Sequence, residues 1–147
     1  MSHRNLELVK KLHHIWSTGK TDLIADVYSR DFVGYWPKSA LVPERHGHEG
    51  VMFGVQALRT AFPDWKETVV DLFYEENKVA SRTIATGTHT EKFGELEPTG
   101  NLVEIHEAST FKIFEGKVVE HQCLFDELAR LNALNVDKSY LRKILKK

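Results

Sequence analysis

The chain has 147 residues, about the size of one domain, and its 41% hydrophobic and 28% charged residues are typical of a globular protein. Lysine and arginine total 20 against 21 aspartate and glutamate, so the net charge of -1 gives no electrostatic reason to expect a nucleic acid or an anionic membrane as partner. Cys123 is the single cysteine, which excludes an intramolecular disulfide. The sequence has no apolar run typical of a signal peptide or a membrane span, so we expect a cytoplasmic protein.

The first half of the chain is predicted to be mainly helical. Five apolar residues repeat with the period of one helix face, namely Leu8, Val9, Leu12, Ile15 and Trp16. Gly19 suits the left-handed residue that ends such a helix, and His13 and His14 are expected at its surface or boundary. Farther along, the pattern predicts a short helix at 21–28 with Thr21 as its N-cap, a strand at 31–36, a loop at 37–50 and a helix at 51–62.

The second half is predicted to form strands. β-Branched and aromatic residues predict strands at 68–74, 79–90, 102–114 and 117–125, of which the last two form the clearest hairpin. A short helix follows Asp126. Helices followed by antiparallel strands predict an α+β fold, in which a curved antiparallel sheet wraps around the N-terminal helices and leaves a pocket between them. We expect residues 1–147 to form one domain with a small-molecule ligand in that pocket.

The final hairpin predicts which side chains face the pocket. A two-residue loop at Glu115-Gly116 pairs Phe114 with Lys117, and opposed residues share a sheet face with every second residue along each strand. The face that is more apolar along the first strand then also carries polar residues that an unbroken core would not accommodate, among them Glu107, Ser109, Gln122 and Asp126. A three-residue loop with a β-bulge would reverse this assignment.

Glu107 and Asp126 are predicted to be diagonal neighbours on that face. Two carboxylates in a partly dry pocket cannot both ionise freely, so one has a raised pKa and can act as an acid near neutral pH while the other acts as a base. We therefore predict Asp126 as the general acid/base with Glu107 beside it, and Gln122 and Ser109 as substrate-binding residues. The alternative is that Asp126 caps the following helix and Glu107 lies in water near the strand end.

Two further residues are candidates for holding a ligand oxygen. His89 ends a strand near the loop that would close the pocket, although a structural histidine bonded to backbone is the alternative. Tyr35 ends the short first strand beside the long loop. The run His46-Gly47-His48-Glu49 has no regular frame and no clear third ligand, so we predict no metal there.

Four short strings occur in order along the chain, AFPD at 61–64, GTHT at 87–90, PTG at 98–100 and GKVVEH at 116–121. With Asp126 after them, they resemble the SnoaL-like polyketide cyclases of the nuclear transport factor 2-like superfamily, from about Asn5 to Leu134. The resemblance implies a cone-shaped α+β barrel, often dimeric, with an enclosed pocket and no cofactor. It implies intramolecular aldol ring closure of polyketide esters, with Asp126 as general acid/base. The chain departs from the family in carrying Gln122 where a tryptophan is common and Cys123 where an acid is frequent.

Together, the residues and the resemblance predict an enzyme of the lyase or isomerase type that moves a proton at a carbon next to a carbonyl group. We expect it to use neither a cofactor nor a metal. One alternative is a non-catalytic domain of the same fold that binds a small apolar molecule. Another is a dimeric structural protein with a filled core. An exposed outer face of the sheet would favour a homodimer.

Overall fold

The computed structural model describes residues 2–146, with the side chains of residues 2, 138, 141, 144 and 145 excepted. The helices are α1 (Ser2–Thr18), α2 (Ile24–Val27), α3 (Gly47–Ala61), α4 (Glu127–Ala133) and α5 (Lys138–Leu145), and a 3-10 turn at Thr21–Leu23 precedes α2. The strands are β1 (Tyr28–Tyr35), β2 (Glu44–His46), β3 (Lys66–Glu75), β4 (Lys78–Thr88), β5 (Leu102–Phe114) and β6 (Lys117–Phe125). Within residues 2–146, no helix has the length and apolar character that crossing a membrane requires.

The first helix ends where its sequence predicts. Gly19 has φ +75°, the left-handed conformation that favours glycine, and its N–H donates to the Ile15 carbonyl at 2.8 Å. The second predicted helix is only partly right, because Thr21 begins a 3-10 turn instead of capping a helix and Tyr28 already belongs to β1. The predicted loop at 37–50 contains the short strand β2 and the start of α3.

The six strands of the described chain form one sheet in the order β2-β1-β6-β5-β4-β3. The predicted α+β fold, a curved sheet wrapped around the N-terminal helices, is confirmed, but the sheet stays open, with β2 and β3 as its edges. The prediction of a wholly antiparallel sheet is wrong at one pair, since β1 lies parallel to β6. Parallel strands need a long connection, and β1 and β6 are separated by most of the chain.

The β5–β6 hairpin contains a β-bulge that decides which side chains face the helices. Its two-residue turn pairs Phe114 with Lys117, as predicted. Farther along, Lys112 pairs with Glu120, so Val119 is an extra residue and every later residue of β6 changes face. The inner face of β5 is therefore as predicted, whereas that of β6 is reversed beyond the bulge. Inside lie His121, Cys123 and Phe125, and outside lie Gln122 and Leu124.

Two hydrophobic clusters fill the space between the helices and the inner face of the sheet. The first surrounds α1, where Val9, Leu12 and Ile15 have no exposed surface. The second surrounds the end of α3 and includes Phe62 and Trp65. Residues of both clusters line the pocket described next, so packing of the core also shapes the site.

Candidate functional site

A pocket lies between α1, α3, α4 and the inner face of the sheet. Its water-accessible volume is about 80 Å³. One water molecule needs about 10–15 Å³ by this measure, so the pocket has room for several waters or for a small molecule. Its aromatic walls are Trp16, Trp36, Phe62, Trp65, Phe93 and Phe125. Its polar side chains are His13, Arg45, Glu67, Glu107, His121 and Arg130.

Glu107 is the titratable group at the centre of this arrangement. It lies on the inner face of β5, opposite Phe125 of β6, and it lines the pocket. Burial raises the pKa of its carboxyl group well above the usual 4.5, and the Glu67 carboxylate raises it further. The Cys123 thiol, 3.8 Å from Oε2, and the Arg130 cation act weakly in the other direction. Glu107 can therefore exchange a proton with a ligand at a higher pH than an ordinary glutamate.

Glu67 is held in place by a hydrogen-bond network. Its Oε1 lies 2.7 Å from His13 Nδ1, and its Oε2 accepts from Trp65 Nε1 at 3.0 Å. His13 Nε2 lies 3.1 Å from the Ser81 hydroxyl, which fixes the ring from its other side. Because both carboxylate oxygens are already bonded, the Glu67 side chain is fixed in position near Glu107. The expectation that His13 lies at the surface is wrong, since it is only 3% exposed.

Two arginines bring positive charge into the pocket. The guanidinium of Arg45 lies 4.9 Å from the Trp36 ring centroid, and burial lowers its pKa to about 10. The guanidinium of Arg130 lies 4.8 Å from the Phe125 ring centroid, and its Nη2 donates a hydrogen bond to the Ser39 carbonyl at 2.6 Å. Burial lowers the pKa of Arg130 as well. Both groups still carry their charge at neutral pH, so the pocket can attract an anionic oxygen.

His121 enters the pocket only because of the bulge in β6. Its Nε2 lies 2.9 Å from the Ser109 hydroxyl, and its ring packs edge-on against Trp36 at a centroid distance of 5.0 Å. Burial lowers its pKa well below 6.5, and the neighbouring His13 and Arg45 lower it further. His121 is therefore a neutral imidazole at pH 7. Ser109 is buried beside it and acts as its hydrogen-bond partner, not as part of the pocket lining.

The predicted position of Asp126 in the pocket is wrong. Asp126 is exposed, and its Oδ1 accepts a hydrogen bond from the Ala129 N–H at 3.0 Å, so it is the N-cap of α4. The physical reason is the bulge at Val119, which shifts the register of β6 by one residue. The capping alternative, left open by the sequence, is the one that the structure shows.

Gln122 and Tyr35 also lie outside the pocket. Gln122 is exposed and its side-chain amide donates to Glu120 Oε1 at 3.0 Å. Tyr35 is 41% exposed and pairs with Gln122 across the parallel β1–β6 pair, so both belong to the outer face of the sheet. Neither can hold a ligand oxygen in the pocket, and the same bulge explains the error for Gln122.

His89 is a buried structural histidine. Its Nδ1 accepts a hydrogen bond from the Thr99 backbone N–H at 3.3 Å, and its ring stacks on Phe62 with centroids 5.2 Å apart. Phe62, not His89, forms the pocket wall. The sequence-based alternative of a histidine bonded to backbone is therefore the better description of His89.

The histidines of the loop before α3 are engaged in other contacts. His46 Nε2 lies 2.8 Å from Glu44 Oε1 at the surface, and His48 donates from Nε2 to the Tyr28 carbonyl at 2.7 Å. In the part of the chain that the structure describes, no three histidine, cysteine, aspartate or glutamate side chains are grouped in a way that would hold a metal ion.

Five polar residues of the pocket were missed by sequence reasoning, namely His13, Arg45, Glu67, His121 and Arg130. For His13 a signal existed, since it lies four residues after Val9 and three before Trp16, on the apolar stripe of α1. Arg45 gave no signal, because it belongs to a short edge strand inside a stretch without periodicity.

The chain is similar to known proteins over most of its length. A family model described as SnoaL-like polyketide cyclase matches residues 6–134. IdmH from Streptomyces antibioticus, "a putative polyketide cyclase", is 26% identical, with 90% of this chain and 99% of that chain covered and a TM-score of 0.77. AclR from Streptomyces galilaeus, "a putative hydroxylase", is 25% identical, with 92% and 98% covered and a TM-score of 0.77. A "putative SnoaL-like polyketide cyclase" from Jannaschia sp. CCS1 shares the fold with a TM-score of 0.81, at 21% identity and with 92% and 94% covered. A search of curated proteins finds no match.

Proposed function

Because the chain belongs to the SnoaL-like polyketide cyclase family, we propose that it is a cofactor-independent enzyme that moves a proton at a carbon next to a carbonyl group of a small molecule. Aldol-type ring closure is one such reaction. Glu107 is the general acid/base. The observation that carries this proposal is the position of Glu107 in the pocket, where burial and the Glu67 carboxylate raise its pKa.

The reaction begins when ionised Glu107 removes the proton from the carbon next to the carbonyl group. The electron pair of the broken C–H bond moves toward the carbonyl oxygen, giving an enolate. Arg130 is close enough to Glu107 to lower its pKa, so its cation can stabilise the enolate that forms there. In ring closure, the enolate carbon attacks a second carbonyl carbon of the same molecule. Protonated Glu107 then returns its proton to the resulting alkoxide.

The raised pKa of Glu107 suits this task. A carboxylate of ordinary pKa is a weak base toward a carbon acid, whereas a base whose pKa lies nearer to the working pH transfers protons more efficiently. The aromatic walls of the pocket keep water away from the enolate and strengthen its attraction to Arg130. In this proposal, Glu107 takes the role that the sequence prediction assigned to Asp126.

A non-catalytic domain that binds a small apolar molecule is the alternative. It predicts an apolar pocket without a perturbed carboxyl group. The pocket contains Glu107, whose pKa is raised, and two buried arginines, and both features favour the enzyme.

Deuterium exchange tests the proposal without knowledge of the natural substrate. The probe is 2-tetralone, a small aromatic ketone whose protons next to the carbonyl group exchange slowly with D₂O and are followed by proton NMR. We expect the wild type to accelerate this exchange and Glu107→Gln to lose about 10²–10⁴-fold of the acceleration, the usual contribution of a general base. Glu104→Gln is the matched control, because Glu104 lies on the outer face of the same strand. Exchange by Glu107→Gln at the wild-type rate would reject the role of Glu107.

We also propose that the protein works as a homodimer in the cytoplasm. The outer face of the sheet carries several large apolar side chains, with Leu124 72%, Phe73 65% and Phe114 63% exposed. Small residues such as Ala80 and Ala108 lie between them and leave the face flat enough for a second copy. Large exposed apolar areas of this kind are typical of protein interfaces.

A further inference from the structure

Arg45 reaches the pocket through a passage that two glycines keep open. It lies on the edge strand β2, and its side chain runs past α3. A Cβ atom at Gly54 would overlap its guanidinium group, and one at Gly50 would press against its backbone. Both glycines lie inside α3, where glycine is less favourable than alanine. The helix therefore retains unfavourable residues at the positions that give Arg45 access to the pocket.

The buried guanidinium of Arg45 lacks the partners that such a group requires. The residue is only 9% exposed, and within residues 2–146 no acceptor bonds its Nε or Nη1. It stacks over the rings of Trp36 and Trp16, at centroid distances of 4.9 and 5.8 Å. The nearest acidic side chain in the sequence, Glu44, is exposed and bonded to His46. A buried cation without a counter-ion is strongly destabilising, so Arg45 needs an explanation beyond packing.

His121 adds a second unsatisfied group on the same side of the pocket. Its ring packs against Trp36, and its Nδ1 is buried without a hydrogen-bond partner among the described residues. Arg45 acts electrostatically on His121, whereas Arg130 is the cation that acts on Glu107. Arg45 and His121 therefore lie together against the Trp36 ring on one side of the pocket, and Arg130 is the arginine that influences Glu107.

We propose that Arg45 binds an anionic oxygen group of the substrate, a carboxylate or an ionised enol, carried on a planar and largely apolar framework that packs against Trp16 and Trp36. The planar fork of a guanidinium matches two oxygens of such a group, and in a site shielded from water its charge-assisted hydrogen bonds are strong. The inference rests on the proposed function, since it assigns the substrate class of the same pocket. Arg45 anchors one end of the molecule, and the carbon that loses its proton lies at the other end, beside Glu107.

Isothermal titration calorimetry with three naphthalene probes tests this site. The probes are 2-naphthoate, its uncharged methyl ester, and 2-hydroxy-1,4-naphthoquinone, an enol that is ionised at neutral pH. We expect the wild type to bind at least one of the two anions ten or more times more tightly than the ester. Arg45→Met should bind all three alike, because methionine keeps the apolar stem and removes the charge. Arg30→Met, on the exposed side of β1, is the matched control and should behave as the wild type.

Each possible result either supports or overturns the assignment of Arg45 as the anion-binding residue. Preference for naphthoate alone identifies a carboxylate as the partner, and preference for the quinone alone identifies an enolate. The inference is overturned if the wild type binds the ester as tightly as both anions, or if it binds neither anion at millimolar concentration. It is also overturned if Arg45→Met keeps the wild-type preference for the anions. If Arg45→Met does not fold, Gly54→Ala displaces the guanidinium while keeping its charge, and it should lose the preference.

Failure of this inference is distinguishable from failure of the proposed function. Glu107→Gln should keep the preference for the anion, since Arg45 and not Glu107 binds the anionic group. Loss of the anion preference with Glu107-dependent exchange intact would reject only the role of Arg45. An Arg45-dependent preference together with full exchange by Glu107→Gln would reject only the proposed reaction.

Discussion

Substitution of Asp126 distinguishes a capping role from a catalytic one. Its Oδ1 accepts a hydrogen bond from the Ala129 N–H at 3.0 Å, which satisfies one of the free N–H groups at the start of α4. Asp126→Ala removes this bond at a cost of about 1 kcal/mol. For a domain of about 150 residues, that corresponds to a fall of about 2–4 °C in Tm. Asparagine is an equally good N-cap, so Asp126→Asn should melt close to the wild type.

Thermal melting and the 2-tetralone exchange assay, applied to both variants, complete this test. We expect Asp126→Asn to keep the wild-type exchange rate, because its amide maintains the cap and the carboxylate has no part in the chemistry. Asp126→Ala should lose some activity along with stability, since α4 carries Arg130 into the pocket. An Asp126→Asn variant that melts like the wild type but has lost most of its exchange activity would refute this reasoning and restore the aspartate as the general acid/base.

Three further predictions follow from the charges and surfaces of the molecule. Glu107→Gln removes a carboxyl group whose pKa is raised above 4.5 when the protein folds. Above pH 4.5, the unfolded wild type releases a proton that the folded wild type retains. The wild type therefore loses stability relative to the variant as the pH rises toward the folded-state pKa. Urea unfolding at about pH 4 and about pH 8 measures this. The free energy of unfolding of the variant minus that of the wild type should be larger at about pH 8, and an unchanged or smaller value there would contradict the prediction. Glu67→Gln removes the carboxylate that raises the pKa of Glu107, so the low-pH side of the exchange-rate profile should move to lower pH. A profile that does not move would show that Glu67 does not raise the pKa of Glu107. Leu124→Lys places a charge on the outer face of the sheet and should convert a dimer to a monomer in light scattering, whereas a wild type that is already monomeric contradicts the proposed interface.

The elements of the fold were largely predictable because their signals are local. The β5–β6 hairpin begins, turns and ends at the predicted residues, since strand composition and a two-residue turn both depend on near neighbours. The parallel pairing of β1 with β6 was not predictable, because it depends on how distant parts of the chain come together. The short strand β2 was also missed, since three residues are too few to show a period.

The candidate site was harder to predict because one inserted residue decides it. A bulge depends on the packing of the whole sheet and leaves only a weak trace in the sequence. That trace is the polar character of Glu120, Gln122 and Asp126, three of the four even-numbered residues from 120 to 126. A strand that buries one face places such residues outside. Glu107 was placed correctly because β5 has no bulge between it and the turn.

The pH dependence of 2-tetralone exchange, measured with the wild type and with Glu107→Gln, tests the central claim most directly. If Glu107 is the base, the wild-type rate rises with pH as its carboxyl group ionises, and the midpoint lies well above 4.5, the usual pKa of glutamate. The variant should show neither the acceleration nor the rise. A wild-type midpoint at or below 4.5, or the same profile in Glu107→Gln, would contradict the account.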